Sequence, residues 1–573
     1  MISRRTFLKT SLMSCLGLLA LSGSGCELAS SLNNPRVNDQ NLANLDNIDH
    51  NDYNGWARLS CGPDTWYWRR ENAFYFTQAH SKDNFSAWPL SNKVTYTDVA
   101  IIGTGPAGLV CANRLLDLGV DNIILLDSCN RPGGSTKSFD SCQGRSYSGY
   151  LTQNVPWAAS RLSIPDGNDE NLLNFLQDQK IIEKFDAAGR AQYASEALAF
   201  YPQERLLNAG RWFFGNYDST DLPQQNAKDE RLFAENFDNF LEHMEHKRGR
   251  DGKLYFTAPQ SLVSVEAKAL EQLTLKEYLQ QKHLLAENVE QFINRIVCSE
   301  SGLTISQISA WAGIYQLCRD KIRLTKPQRL FLTWEKGCAR LLEPLYKNLQ
   351  PLIRTSTHIA SWQEDSQKVE LLCLNLKEQR RERLIAKEIV FASSAINLAK
   401  LLNLQLKDRL IFWNAIAFQT KLEPLNYNQK FLNAPPAFIS RLNNHPSIIY
   451  ADSRCQRKSS LPHQHTVLLR RSPEKLEANR LADCFAQIST ETTPFIDNFT
   501  EQSHEFWTAN FGPFQAALPG KSQSKLSLSE NAKRLNHLHL ALTDLCACPN
   551  FAQSFDNGWQ AAEKVGLALR HLP

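Results

Sequence analysis

The sequence predicts a chain of mixed α/β and α+β character: a doubly wound domain assembled from separated pieces, with helical and sheet-forming segments inserted between them. Three observations predict this. An apolar strand, a glycine-rich turn, a helix and a second strand follow one another from Asp98 to Asp127. Strand-then-helix patterns return at Glu388 to Leu402 and at Leu538 to Ala562. Between these blocks lie a run with helical apolar period and a long irregular run with alternating apolar residues.

The first block carries the chemistry. Val99, Ala100, Ile101 and Ile102 have the length and β-branched content of a buried parallel strand. Gly103, Gly105 and Gly108 follow at GxGxxG spacing, with Thr104, Pro106 and Ala107 between them. Gly103 permits the tight turn from strand to helix, Gly105 leaves room for a pyrophosphate, and Gly108 lets helix and strand pack closely. The bare N–H groups at the helix start hold phosphate charge with help from the helix dipole. Leu109, Ala112, Leu115 and Leu116 form the helix's apolar side, Gly119 stops it, and Ile123 to Leu126 make the second strand. Asp127 then stands where a carboxylate accepts from ribose hydroxyls. A lone GxGxxG is weak evidence. Here strand, glycines, helix, second strand and acid come in order, so the block reads as a Rossmann-like dinucleotide site.

After Asp127 and Ser128 comes Arg131-Pro132-Gly133-Gly134-Ser135, a D-x3-R-x-G-G-S pattern. Paired glycines allow close backbone approach, and an arginine offers a fork to phosphate. The pattern resembles the flavin amine oxidase superfamily, in which an acid-x3-R-x-G-G run follows the second strand. The resemblance implies FAD as cofactor, with arginine and glycines against its pyrophosphate and isoalloxazine ring.

The rest of the chain divides around this block. Residues 1–26 read as a twin-arginine signal peptide, with Ser3-Arg4-Arg5-Thr6-Phe7-Leu8-Lys9 before an apolar stretch from Leu12 to Leu21 that is short for a membrane span. The twin-arginine export machinery is therefore an expected partner and the periplasm the expected location, with Cys26 a candidate lipid anchor. Residues 27–95 are a linker and an aromatic-rich extension expected to pack over the domain. Residues 96–150 form the first FAD-binding piece, and 151–328 a mainly helical part of the substrate domain. Within the latter, helices are expected over Glu170 to Lys184, Arg231 to Lys247 and Leu273 to Phe292. The runs Pro202-Gln203-Glu204-Arg205, Gly210-Arg211-Trp212 and Ser309-Ala310-Trp311-Ala312-Gly313 stand out there without a functional reading.

Residues 329–404 return to the FAD domain. Two strands, Leu352 to Ala360 and Val369 to Leu376, are joined by a polar turn, and a short strand at Glu388 leads to the helix Ala395 to Leu402. The resemblance places the strand near Ile359 beside the adenosine half of FAD. Residues 405–530 fit the sheet part of the substrate domain. Residues 531–573 form the third FAD piece. By resemblance Asp544 meets the ribityl or phosphate region, and the helix start at Ser554 and Phe555 meets the pyrimidine end. A Gly-Ala pair is usual in the family where Gln553-Ser554 stands here.

Composition excludes some classes. A net charge of +4, spread evenly through 573 residues, argues against a nucleic-acid partner. Fourteen cysteines include no pair of CxxC groups at zinc-like spacing, so no metal is expected, and Cys111 inside the glycine-loop helix reads as packing. The expected function is removal of a hydride from a C–H next to nitrogen in a small organic substrate. Oxygen or a membrane or periplasmic carrier would reoxidise the flavin. Two alternatives stand beside it: a desaturase or oxidase of a non-amine, and a flavin-binding accessory protein without turnover. No motif singles out a catalytic residue. Lys421 and Lys430 are placed plausibly, His504 is a candidate base, and Trp507, Phe511, Phe514 and Trp559 are candidate pocket walls.

Overall fold

The computed structural model describes residues 85–129, 131–139, 159–165, 167, 169–201, 203–208, 211–215, 228–256, 264–326, 329–402, 437–442, 451–452, 455–456, 535–543 and 550–570. It also gives the backbone course of 56–61, 64–69, 155–156, 410–419, 445–450, 464–469 and 505–515. Asp544, Lys421, Lys430, His504, Cys26 and the twin-arginine stretch lie outside the described residues.

The glycine block builds the centre of a seven-stranded sheet. Strand Leu90–Ile102 pairs in parallel with Ile123–Leu126 on one side and with Arg380–Phe391 on the other. Ile353–Arg354 extends the parallel part beyond Ile123–Leu126, and Leu538–Leu540 lies beside the second half of Arg380–Phe391. Val99 and Ile101 enter the core cluster on one face, while Ala100 and Ile102 enter the cluster on the other. A strand covered on both faces has no polar side to show, which is why this one reads as a continuous apolar run. Each such buried aliphatic side chain contributes on the order of 2 kcal/mol.

Several elements differ in extent from the sequence reading. The short strand expected at Glu388 is the end of a twelve-residue strand, Arg380–Phe391. Its first half begins Arg-Arg-Glu-Arg, with Arg380 and Arg383 exposed, and pairs antiparallel with Val369–Asn375. The strand expected over Leu352 to Ala360 is broken by Ser356, whose φ of 53° ends Ile353–Arg354 before Thr357–Glu364 begins. The helix expected to reach Lys184 ends at Asp178, because Lys180 turns left-handed and Ile182–Phe185 becomes a strand. The one expected over Leu273 to Phe292 is two helices, Leu275–Gln281 and Glu287–Ser301, with His283 left-handed between them.

A second, nine-stranded sheet collects strands from distant segments. Trp56–Cys61 and Asp64–Arg69, from the aromatic extension, form one edge and join Glu505–Gln515. The hairpin Glu204–Asn208 and Arg211–Phe214 forms the other edge, against Ile439–Leu442. The extension thus supplies strands to this sheet, and the mainly helical stretch contributes the opposite edge. The helices of 228–319 pack around their own core of Phe237, Leu241, Phe292, Ile293, Trp311 and Leu317.

The unexplained motifs lie where this core meets the sheets. Gln203 accepts from Phe331 N at 2.8 Å, and Arg205 donates to Ser440 Oγ at 2.9 Å while its guanidinium stacks 4.1 Å over Trp212. Glu204 accepts from Arg329 Nη2 and Nε at 2.7 and 3.0 Å, and from Arg441 at 3.0 Å. Arg161 pairs with Glu300, and Arg329 reaches on to Asp320 at 3.0 Å. Burial pushes the Glu204 carboxyl up, but Arg329 and Arg441 more than offset it and hold it down at about 2. Three arginines and three carboxylates from six stretches of chain are balanced there, so removing one member would leave a buried charge unpaired.

Candidate dinucleotide site

All five parallel strands end together, at Arg354, Leu126, Ile102, Phe391 and Leu540. Ligands of open α/β sheets bind in the crevice outside the carboxyl ends of the strands. The glycine loop, Asp127 and the R-x-G-G turn all follow directly from these ends.

The three loop glycines are demanded for different reasons. Gly103 has φ +110°, and a Cβ there would lie 2.6 Å from Ala392 O. A Cβ on Gly108 would lie 1.9 Å from Gly103 O. The protein's own packing therefore enforces both. Gly105 is different: its backbone is ordinary, at φ −69°, and a Cβ would meet nothing closer than Gly134 Cα at 4.0 Å. No contact within the chain requires glycine at position 105. The space in front of it is open at the helix start.

Asp127 holds this loop in shape. Its Oδ2 accepts from Thr104 N at 3.0 Å and from the Thr104 hydroxyl, and its Oδ1 accepts from Cys129 N at 2.8 Å. The backbone on either side is pinned to Arg354 O at 3.0 Å and to Thr357 N at 2.7 Å. The carboxylate is first of all a clamp, with one acceptor position of Oδ1 still available to a ribose hydroxyl. Ser128 bonds His358 Nδ1 at 3.1 Å, which ties the turn to the neighbouring strand.

The R-x-G-G turn folds onto the glycine loop. Gly133 N donates to Thr104 O at 2.8 Å, and Gly134, at φ +55°, faces Gly105 so closely that a Cβ would lie 3.1 Å from its Cα. Both glycines are left-handed, so the turn demands them on conformation alone. Arg131 is half-buried at the head of the turn, Ser135 is exposed, and Lys137 is buried behind Gly133.

The helix Phe551–Arg570 completes the site. A Cβ on Gly558 would lie 2.2 Å from Ala107 O, and one on Gly566 would lie 3.0 Å from Leu118 Cδ1. The helix therefore runs parallel to Pro106–Asp117 in near-contact, and its first two turns project past the glycine loop at the carboxyl edge. The N-terminus of Pro106–Asp117, which no side chain caps, opens there with its free N–H groups. Ser554 sits on the face toward the loop, bonded to Thr543 Oγ1 at 2.8 Å and Asn550 O at 2.9 Å.

The side chains of three candidates turn away from the loop, which leaves the backbone expectations at Ser554, Phe555 and Ile359 as they stand. The Phe555 ring is 2% exposed and packs against Phe175 and Trp559, so it belongs to the core. Ile359 likewise turns its side chain into the cluster with Leu126 and Val369, leaving only its strand position near the site. Trp559 lies beneath the Arg114 guanidinium, 4.5 Å away, on the flank of the glycine-loop helix rather than at its N-terminus. The strand Glu505–Gln515 carries Trp507, Phe511 and Phe514, whose side chains are outside the described residues. Sequence reasoning gave Thr104 and Tyr315 no role, and noted Gln553 only as a departure from the family pattern. Thr104 occupies a variable position of the loop pattern and gives no signal, whereas Tyr315 lies one turn beyond Trp311 of the unexplained SAWAG run.

Among the described residues, no group of three or more His, Cys, Asp or Glu is placed to hold a metal ion, and no helix is long and apolar enough to cross a membrane.

Residues 101–178 match the NAD(P)-binding Rossmann-like domain family. No curated protein sequence matches the chain. Similar solved structures include cyclohexylamine oxidase from Brevibacterium oxydans, at 14% identity and a TM-score of 0.57, covering 83% of this chain and 100% of that one. Putrescine oxidase bound to putrescine is similar at 12% identity and a TM-score of 0.54, covering 82% and 99%. A fatty acid isomerase from P. acnes is similar at 13% identity and a TM-score of 0.55, covering 83% and 99%. The resemblance carried by D-x3-R-x-G-G-S is thus borne out in three dimensions: the chain has the two-domain fold of the flavin amine oxidases, built on a Rossmann-like dinucleotide-binding domain.

Proposed function

We propose that the protein is an exported FAD-dependent oxidoreductase that removes a hydride from a C–H next to nitrogen in a small organic substrate. The observation that carries the cofactor assignment is Gly105: no contact within the chain requires its missing side chain, and it lies at a helix N-terminus facing a second glycine turn. That space suits a pyrophosphate, whose charge the free N–H groups and the Arg131 fork would hold. Asp127 fixes the loop and retains acceptor capacity for a ribose. Bound FAD would supply the hydride acceptor, while this chain orients the substrate and excludes water from the crevice. The amine assignment draws on the cyclohexylamine and putrescine oxidases that share the fold.

Export rests on the Ser3 to Lys9 signal, with Cys26 as the candidate anchor. Twin-arginine export carries folded proteins, which accords with a cofactor loaded before translocation. Oxygen or a membrane or periplasmic carrier would reoxidise the flavin. The test is an anaerobic absorbance spectrum of protein released from the periplasm, before and after a panel of primary, secondary and diamines. Bleaching near 450 nm (roughly where oxidised flavins absorb) by one of them supports the reading. A flavin that no amine bleaches overturns the amine assignment.

A second reading is favoured by the fatty acid isomerase with the same fold. It is a non-amine substrate with a C–H in an apolar chain, and bleaching by an unsaturated fatty acid but not by amines would select it.

A further inference from the structure

The third piece of the dinucleotide-binding domain is fastened to the sheet by a contact that no sequence motif announces. Leu538–Leu540 pairs with the end of Arg380–Phe391, and Glu388 of that strand lies between two histidines of the arriving segment. Glu388 Oε1 meets His537 Nδ1 at 3.2 Å, and Oε2 meets His539 Nε2 at 2.7 Å. All three side chains are withdrawn from water: Glu388 is 3% exposed, His537 7% and His539 15%. A second carboxylate, Glu364, takes the backbone of the same segment, accepting from Asn536 N at 2.7 Å and His537 N at 3.3 Å.

The charge balance of this cluster depends on a proton. Among the described residues, no lysine or arginine pairs with Glu388. Lys387 beside it turns to Asp98 at 2.8 Å, and Lys368 lies 4.0 Å from Asp365. The helix Phe551–Arg570, packed on the same strand, has Glu563 paired with Arg114 at 2.7 Å and leaves Lys564 and Arg570 exposed. The charges that face His537 from Thr357–Glu364 and its turn, Glu364 and Asp365, are both negative. Two neutral imidazoles can each donate to Glu388, but they leave its charge unbalanced in the interior. A proton on the histidine pair balances it and makes the bonds charge-assisted. Burial opposes charge on His537, but the Glu388 bond and charge, with Glu364 behind them, outweigh it and raise its pKa above 6.5. The proton belongs to the pair rather than to one ring.

We propose that His537, Glu388 and His539 form a proton-operated latch: one proton on the histidine pair fastens the C-terminal piece to the sheet, and its loss loosens that piece. The loosening reaches the glycine loop through the helix whose Gly558 packs on Ala107 O. A histidine raised on folding stabilises the native state fully below 6.5 and ceases to do so as the pH rises through its folded-state value. The latch is independent of which dinucleotide or substrate the crevice holds. No covalent bond changes, and the proton exchanges with solvent.

The test is hydrogen exchange of the full chain at about pH 6 and about pH 9, corrected for intrinsic exchange, with peptides of 536–570 read against those of Lys228–His246. In the wild type the relative protection of 536–570 should fall by about tenfold for each unit by which the pair is raised. Glu388→Gln removes the charge that holds the proton. The double change His537→Gln with His539→Gln keeps donors facing Glu388 but cannot ionise. Each should hold the ratio within about twofold across the same pH range. Circular dichroism and Tm would show which variants are folded. A wild-type ratio that does not fall, or the same fall in either folded variant, overturns the latch.

Discussion

Gly105 and Gly108 stand three residues apart in one loop, yet their substitution should have opposite consequences. A side chain at 108 collides with Gly103 O inside the protein, so Gly108→Ala should cost stability by about 1–3 kcal/mol. At 105 the backbone tolerates any residue and the space is open, so Gly105→Val should melt close to the wild type but lose flavin binding. Thermal melts and flavin content on the same preparations check both halves. Stoichiometric flavin in Gly105→Val would show that the pyrophosphate lies elsewhere. At this scale the sequence was informative where chemistry imposes a residue type: Gly103, Gly108, Gly133 and Gly134 are each forced by a contact or a left-handed turn. It was silent where any of several residues would serve. Thr104 clamps Asp127 from a position the loop pattern leaves open, and Phe555 follows Ser554 in sequence but turns about 100° away from it, into the core.

Among the elements, the helix Phe551–Arg570 joins both units. One side of its first turns touches the glycine loop, another touches Tyr315, and Asp556 faces Asp169 at the start of Glu170–Asp178. Burial, then the neighbouring Asp169 charge, raise the Asp556 carboxyl from 3.8 to about 6, with Arg319 and Gln560 offsetting part of this. A carboxyl raised on folding favours the native state while it is protonated. That contribution is full below 3.8 and is lost as the pH rises through about 6. Asp556→Asn, which cannot ionise, should therefore be more stable than the wild type at pH 8 (in round terms), by roughly 2 kcal/mol. The advantage should vanish near pH 4 (again a round value below the folded-state pKa). Denaturant melts at the two pH values measure it, and a variant no more stable than the wild type at either would contradict the burial of Asp556 beside Asp169. Helices and buried strands of this kind were legible from periodicity, as Phe237, Leu241 and Met244 show on one face of Lys228–His246. Boundaries were not, because Lys180, His283 and Ser356 break elements through left-handed backbone that none of these residue types announces.

For the whole molecule, discontinuity is the main feature. The parallel sheet draws its strands from residues 90–126, 353–391 and 538–540, and the nine-stranded sheet from six separated stretches between 56 and 515. Leu90–Ile102 and Arg380–Phe391 were readable because their last residues are buried on both faces and each leads into a helix. The edges of the second were not: Trp56–Cys61 and Glu204–Asn208 are short, and only their distant partners make them strands. The Glu204, Arg329, Arg441 and Glu300 cluster has the same origin, since charged residues far apart in sequence look solvated until the fold buries them together. What unites the molecule is the crevice at the carboxyl edge, where a helix N-terminus, two glycine turns and a clamped aspartate meet. On the proposed function this crevice holds one FAD. Its most direct test is the absorbance spectrum and flavin-to-protein ratio of the purified full chain after reconstitution with FAD and gel filtration. A ratio close to one, with the flavin identified as FAD on heat release, is the predicted result. A chain that stays folded and colourless with excess FAD would contradict the claim.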